Sequence, residues 1–125
     1  MAQCRENGIS FVRGDSYTAK LYLHSIDSDE PYILKEGDTG LLMVFDTSGK
    51  AVIRKEFSCD DQSEDASVAI AFLPSDTEDI TDNCLCYEVE ISTSDGDVFT
   101  LLYGEFSLML DMITSDIREA EGGDC

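Results

Sequence analysis

Alternating apolar and polar side chains recur along most of the chain. In residues 17–24, 68–72 and 85–91, apolar side chains occupy nearly every second position. A period of two is typical of a β-strand with one face buried and the other exposed. The same reasoning predicts further strands at 9–12, 31–34, 51–57, 98–103 and 106–110. The segment 31–34 contains proline and is therefore expected to be an edge strand or a connection.

Residues 41–45 differ because they are apolar at every position. Such a run predicts a central strand that is covered on both faces. The polar segment from Asp46 to Lys50, with Gly49, predicts a hairpin after this strand, and the Asp95-Gly96 pair predicts a second hairpin. Gly104 separates the last two predicted strands and predicts a bulge or a bend.

The stretch from Pro74 to Ile80 interrupts the strand pattern. Ser75 and Glu78 have the spacing of a capping box, which predicts one short helical turn near residues 75–80. About eight strands in roughly 100 residues, with no longer helical segment between them, indicate an all-β fold. We predict a single antiparallel β-sandwich of immunoglobulin-like size over residues 1–110, followed by an acidic C-terminal tail at 111–125.

Composition narrows the classes of partner. The 125 residues include 27 Asp and Glu but only 8 Lys and Arg, which gives a net charge of −19. Binding of nucleic acid through phosphates is disfavoured, because it needs clustered basic side chains. The expected consequences of the negative charge are repulsion between copies of the chain and attraction to basic surfaces.

The apolar segments are short. No apolar stretch approaches the roughly 20 residues of a membrane span, and residues 1–10 lack the pattern of a signal peptide.

Five cysteines occur, an odd number that argues against a disulfide framework. Cys84 and Cys86 are two residues apart, so on a strand they point to the same face. We predict free, reduced thiols and a protein made in a reducing cytoplasm, with a disulfide or a metal site as the open alternatives. No metal site and no cofactor site is predicted. The cysteines are Cys4, Cys59, Cys84, Cys86 and Cys125.

The chemistry of catalysis has few candidates. His24 is the only histidine, it falls on an outward strand position, and no nucleophile elbow accompanies it. A pair of carboxylates for glycoside hydrolysis needs a cleft that sequence spacing does not reveal. We therefore predict that the chain is not an enzyme and assign no catalytic residues.

Three other motifs have a structural and a functional interpretation. Arg13-Gly14-Asp15 spells an adhesion tripeptide, and a turn between strands is the alternative that we favour. The acidic segments 27–30 and 60–65 offer oxygen ligands for calcium, and solvated loops are the alternative that we favour. A sugar-binding platform is one interpretation of four tyrosines, and ordinary packing is the one that we favour: Tyr22, Tyr32, Tyr87 and Tyr103.

Several short sequence motifs occur in a fixed order along the chain. They are ISFVRGDS at 9–16, PYIL at 31–34 with Gly37-Asp38, LP at 73–74 with Asp76-Thr77, YEVEI at 87–91, and GDVFTLLYGEF at 96–106. This series resembles small β-sandwich modules of tailed bacteriophages and prophages. Those modules include the N-terminal domain of baseplate upper proteins and related tail or head-fibre proteins. The resemblance covers residues 9–110 and carries over no catalytic residue.

The resemblance implies a non-enzymatic structural component of a bacteriophage virion. A tail, baseplate or fibre-attachment protein that docks through strand edges and termini is the first expectation. A capsid decoration, head-fibre or head–tail connector protein is the alternative, and a carbohydrate-binding or adhesin module is the second. The implied partners are other virion proteins, with a homo-oligomer also open. No nucleic acid, membrane span or small-molecule ligand is expected. The implied location is the virion, after synthesis in the host cytoplasm.

Overall fold

Short β-strands make up most of the protein. The computed structural model describes residues 8–25 and 27–109. A single 3-10 turn at Cys59–Asp61 follows the fourth strand within these residues. The other elements are β1 Ile9–Val12, β2 Tyr17–Tyr22, β3 Thr39–Phe45, β4 Ala51–Ser58, β5 Ser67–Phe72, α1 Pro74–Thr77, β6 Cys84–Ser92 and β7 Val98–Met109.

The strands form two sheets. The larger sheet has the order β1-β7-β6-β3-β4, and the smaller one pairs β2 with β5. Neighbouring strands are antiparallel except β1 and β7, which run parallel with Ile9 beside Phe106 and Val12 beside Met109. The prediction of an all-β, sandwich-like fold is confirmed, and the parallel pair is an addition to it.

One hydrophobic core lies between the two sheets. Phe72 of β5 contacts Phe11 and Phe106 of the larger sheet, with ring centroids 5.3 Å and 5.5 Å away. Phe11 and Phe106 meet edge to face at 5.6 Å. Tyr87 and Val89 of β6 are fully buried in the same cluster. Aromatic contacts of this geometry add to the free energy gained by burial, so these rings tie the layers together.

The last two predicted strands are one strand. β7 runs without a break through Gly104, which lies opposite the buried Tyr87. The irregularity falls at Leu101 instead, because Val89 pairs with Leu102 while the next residue of β6 pairs with Thr100. Gly104 therefore does not separate two strands.

The segment at 31–34 is not a strand either. Pro31 makes an isolated bridge with His24, and Tyr32 N–H donates to Leu23 O at 2.9 Å. Proline has no N–H to give to a ladder, so pairing does not extend from it. Because β7 is continuous and this segment forms only an isolated bridge, the described residues contain seven strands and not eight.

The helical turn begins at Pro74 and not at Ser75. The Asp76 carboxylate accepts the Leu73 N–H at 2.7 Å and so caps the turn. The predicted pair of Ser75 and Glu78 was therefore wrong. The fixed φ of proline suits the first helical position, which moves the start one residue earlier.

Both predicted hairpins are present. Gly49 and Gly96 have φ of +90° and +99°, values that a side chain disfavours. Asp46 Oδ1 accepts hydrogen bonds from Ser48 and from the Lys50 N–H. Hydrogen bonds from the Ser48 hydroxyl first, and then from the Lys50 N–H, lower the pKa of Asp46.

Two predictions remain, one on the C-terminal tail and one on membrane spans. The predicted tail at 111–125 lies outside them. Of the helices that the structure describes, none has both the length and the apolar character needed to cross a membrane.

Candidate functional site

The larger sheet has a face that no described element covers, here called the outer face. Leu42 and Val44 of β3 point into the core and have no exposed surface. Leu41, Met43 and Phe45 alternate with them and are only half-buried. The prediction that β3 is covered on both faces was wrong, because the second layer has only two strands and packs against one face. We call Leu41, Met43 and Phe45 the apolar row.

Carboxylates border the apolar row on one side. On β6, Glu90 lies opposite Leu41 and Glu88 lies opposite Met43. Glu105 is on the next strand, β7, and also points outward. All three glutamates are exposed. We call Glu88, Glu90 and Glu105 the carboxylate row. It runs parallel to the apolar row within the reach of neighbouring side chains on one sheet.

The other border is formed by β4. Glu56 lies opposite Leu41, and Arg54 lies opposite Met43. Arg54 Nη1 is 2.9 Å from Glu56 Oε2, and both side chains are more than 60% exposed. Arg54 is the one basic residue that the described strands of this sheet direct outward, and its charge is already matched. The carboxylate row therefore gives the outer face a net negative charge.

A shallow depression marks the Leu41 end of the face. It has a volume of about 180 Å³, and its walls include Leu41, Arg54, Glu56 and Glu90. Sites for drug-sized molecules measure roughly 300–1,000 Å³. The depression is of a size to receive one side chain, so the whole face is the candidate site.

Two thiols stand on the same face. Cys84 and Cys86 are exposed and free, and Cys86 lies opposite both Phe45 and Glu105. Cys59 is also free but half-buried after β4. The reduced state expected of the thiols stays a prediction. Cys4 and Cys125 lie outside the described residues.

His24 does not belong to this site. It follows β2 and forms only an isolated bridge, so the predicted outward position within a strand was wrong. Its Nδ1 lies 2.9 Å from Ser25 O and 3.2 Å from Ser28 O. The ring therefore helps to order the loop after β2.

The Arg13-Gly14-Asp15 motif is a turn between β1 and β2. The Gly14 N–H donates to Thr77 Oγ1 at 2.8 Å, and Arg13 Nη1 donates to Ile80 O at 3.0 Å. These hydrogen bonds fasten the turn to α1 and the residues after it. The structural interpretation of the motif is confirmed.

The acidic segment 60–65 has local partners. Asp61 accepts the Ser58 N–H at 2.8 Å, and Asp65 accepts the Ser67 hydroxyl at 2.6 Å. Lys20 Nζ lies 3.1 Å from Asp65. The Ser67 hydroxyl first, and then Lys20, lower the pKa of Asp65. In residues 8–25 and 27–109, no three His, Cys, Asp or Glu side chains are grouped to hold a metal ion.

The four tyrosines do not form a common platform. Tyr87 is buried in the core, and Tyr22 is exposed on β2 of the smaller sheet. Tyr32 meets Phe99 edge to face at 5.8 Å, whereas Tyr103 lies on the outer face opposite Glu88. They stand in different layers, so a sugar-binding surface built from the four tyrosines together is not present.

Comparison with known proteins gives a likeness to solved structures alone. No family model matches the chain, and no curated protein matches it. One solved structure is that of CopC from Methylosinus trichosporium OB3b. It is 13% identical with a TM-score of 0.49, over 88% of this chain and 92% of that one. At this level the likeness assigns this chain neither a function nor a ligand.

The predicted role in a bacteriophage virion is corrected here. Neither a family model nor a curated relative connects the sequence to a virion, and the solved structure described above is that of CopC. The turns and strand ends that carried the resemblance are features of many β-sandwiches, because turn chemistry is set by backbone geometry. Virion assembly is therefore withdrawn as the function, and the ancestry and location drawn from the resemblance stay predictions.

The outer face was not predicted as a site from the sequence of β3. Its signal was present in the uninterrupted apolar run 41–45 together with Glu88 and Glu90 on alternate positions of another strand. The run was interpreted as doubly covered core. Only the register, which places Met43 beside Glu88, shows that the apolar side chains of β3 and the glutamates of β6 share one exposed surface.

Proposed function

We propose that this protein is a non-enzymatic binding module that recognises a basic protein surface through its outer face. The observation that carries the proposal is the half-exposed apolar row bordered by the carboxylate row. Antiparallel sheets commonly expose one face, but that face is normally polar along its central strand. Apolar side chains that line up there are typical of a contact surface.

Charge complementarity selects the occupant. The chain carries a net charge of −19, and the carboxylate row adds a local negative field beside the apolar row. A partner with Lys or Arg around an apolar centre would be steered toward this face and held in register. A second copy is a poor occupant, because face-to-face packing would bring two carboxylate rows together.

The depression at Leu41 suggests how a basic side chain binds. A lysine or arginine could lay its aliphatic stem along Leu41 and place its charge near Glu90. Long cationic side chains bury their stems in this way while the charged end stays solvated. The depression therefore supports a basic partner more than a purely apolar one.

The test uses a short labelled peptide of alternating Lys and Leu, titrated into the full chain and followed by fluorescence anisotropy. We expect binding that weakens with added salt, and amide NMR shifts centred on β3 and β6. Leu41→Ser or Met43→Ser should weaken binding about tenfold or more, as expected for a central contact. Tyr22→Ser, an exposed aromatic on the smaller sheet, is the matched control and should leave binding unchanged.

Three results would contradict the proposal. One is equal binding by folded Leu41→Ser and Met43→Ser variants. Another is equal affinity for a Lys and Ser peptide, which would show that charge alone is recognised. The third is a set of amide shifts confined to β2 and β5. Melting curves of each variant establish that the fold is retained.

A further inference from the structure

The charged residues beside the apolar row are concentrated toward one of its ends. We propose that this distribution fixes the orientation of the partner, a step that rests on the proposed function above. The basic residues of the partner lie over Leu41, and its apolar residues lie over Phe45. The orientation follows from the register of β3 with its two neighbours, β4 and β6.

Leu41 and Met43 each have a charged residue opposite them on both neighbouring strands. The four residues are Glu88 and Glu90 of β6 and Arg54 and Glu56 of β4. Arg54 Nη1 lies 2.9 Å from Glu56 Oε2, so the guanidinium offsets one of the three carboxylates. Two negative charges are therefore in excess beside this part of the apolar row.

Phe45 lies at the other end of the apolar row, and its strand neighbours are uncharged. They are Cys86 on β6 and Ala51 on β4. Glu105 lies one strand farther away, opposite Cys86. Adjacent strands are about 4.8 Å apart, so Glu105 is roughly 9.6 Å from the apolar row. That separation exceeds the Debye length of about 8 Å at physiological ionic strength, so Glu105 acts on the row more weakly than charges on adjacent strands.

The hairpin after Phe45 carries charges of both signs. Asp46 and Lys50 belong to it, and Asp82 Oδ2 accepts the Thr47 N–H at 3.2 Å. Two acids and one base leave one negative charge there, against two beside the other part of the apolar row. This smaller charge also lies past the end of the row, so a basic residue is drawn toward Leu41.

Solvation favours the same orientation. A lysine over Leu41 has Glu56 and Glu90 on the adjacent strands, and the depression accommodates its aliphatic stem. An apolar side chain at that place would instead remove water from two carboxylates, which is costly. Over Phe45, an apolar side chain meets a half-buried ring whose strand neighbours carry no charge.

The test compares two peptides of the same composition, each bound to the full chain. One has three lysines followed by three leucines, and the other has the reverse order. A nitroxide is joined by an amide bond to the lysine end or to the leucine end. In both peptides we expect the label at the lysine end to broaden the amide signal of Leu41 more than that of Phe45. The label at the leucine end should do the opposite.

Removal of single charges tests the cause of the orientation. Glu90→Gln should lower the affinity for both peptides about two- to fivefold, as expected for an exposed charge pair. It should also reduce the difference in broadening between Leu41 and Phe45. Glu105→Gln removes a carboxylate of the same face that lies farther from the apolar row, so this matched control should leave the orientation unchanged.

Equal broadening at Leu41 and Phe45 would overturn the inference, as would a lysine end that lies over Phe45 in either peptide. Equal effects of Glu90→Gln and Glu105→Gln on the orientation would overturn it too. If the amide shifts are still centred on β3 and β6, these results leave the proposed function in place. Absence of binding by both peptides would contradict the proposed function itself and the orientation with it.

Discussion

Lys55 of β4 and Asp76 of α1 are joined by a hydrogen bond of 2.7 Å, and each side chain is only 23% exposed. The same Asp76 oxygen accepts the Leu73 N–H at 2.7 Å. One carboxylate thus fixes the start of α1 and fastens it to the edge strand. Burial acts to raise the pKa of Asp76, but the hydrogen bonds from Lys55 and Leu73 lower it overall.

Lys55→Met should destabilise the protein by about 1–3 kcal/mol, because it leaves a half-buried carboxylate without its charged donor. Asp76→Ala should cost more, since it also removes the helix cap, worth about 0.5–2 kcal/mol. The free energy of unfolding in urea measures both effects. The control is Arg54→Met, which breaks an exposed pair and should cost less than about 1 kcal/mol. Equal losses for Lys55→Met and Arg54→Met would contradict the assigned role.

Asp38 should make stability depend on acid pH. Hydrogen bonds from the Lys35 N–H first, and then from the Ser94 N–H, hold its pKa below the ordinary value of 3.8. Because the folded-state pKa is the lower one, the stabilisation is present above pH 3.8 and is lost as the pH falls through the folded-state value.

The measurement is the free energy of unfolding as the pH is lowered from about 5 to about 2. The difference between the wild type and Asp38→Asn should shrink across this interval. Asp29→Asn, at an exposed loop position, is the comparison variant. A constant difference between wild type and Asp38→Asn would show that the Asp38 charge is not linked to folding.

Thr77→Val should test the contact between the first turn and α1. Thr77 is fully buried, and its hydroxyl accepts the Gly14 N–H at 2.8 Å. Valine keeps the shape but leaves that N–H without its acceptor, at a cost of about 1–3 kcal/mol. Thr77→Ser retains the hydroxyl, so amide exchange at Gly14 should stay slow in it and become faster in Thr77→Val. Faster exchange in neither variant would refute the assigned contact.

Gly40→Ala should destabilise the β3–β4 pair. A Cβ at this position would overlap the ring of Phe57, which lies directly across from it and is buried. Overpacking of this kind costs about 1–3 kcal/mol. In the Phe57→Leu background the added methyl group has more space, and its cost should fall. Thermal unfolding of the four proteins in the cycle gives the coupling, and strictly additive losses would rule out the overlap.

The pattern of side chains predicted the class of fold because alternation is local information. Gly49 and Asp95-Gly96 likewise predicted their hairpins, since a turn depends on its own residues. Gly104 misled because a glycine is also compatible with an uninterrupted strand, and only the register shows that β7 continues through it opposite Tyr87.

The candidate site was less accessible from sequence. The apolar run at 41–45 is compatible with either one or two covering layers, and the number of strands in the second layer decides between them. Cys84 and Cys86 were recognised as sharing a face, but Met43 is distant in sequence from Glu88 and lies beside it only through strand pairing. Long-range register of this kind is not encoded in any single segment of the chain.

The parallel pairing of β1 with β7 has a mechanical consequence. If Gly8 and Met109 are pulled apart, the two strands slide along each other, and the load falls on all the hydrogen bonds between Ile9–Val12 and their neighbours at once. An antiparallel hairpin pulled at its open end instead ruptures one bond at a time. A force applied between Gly8 and Met109 would thus load the β1–β7 pair in shear. The short first strand would then detach in a single step, because its hydrogen bonds to β7 break together.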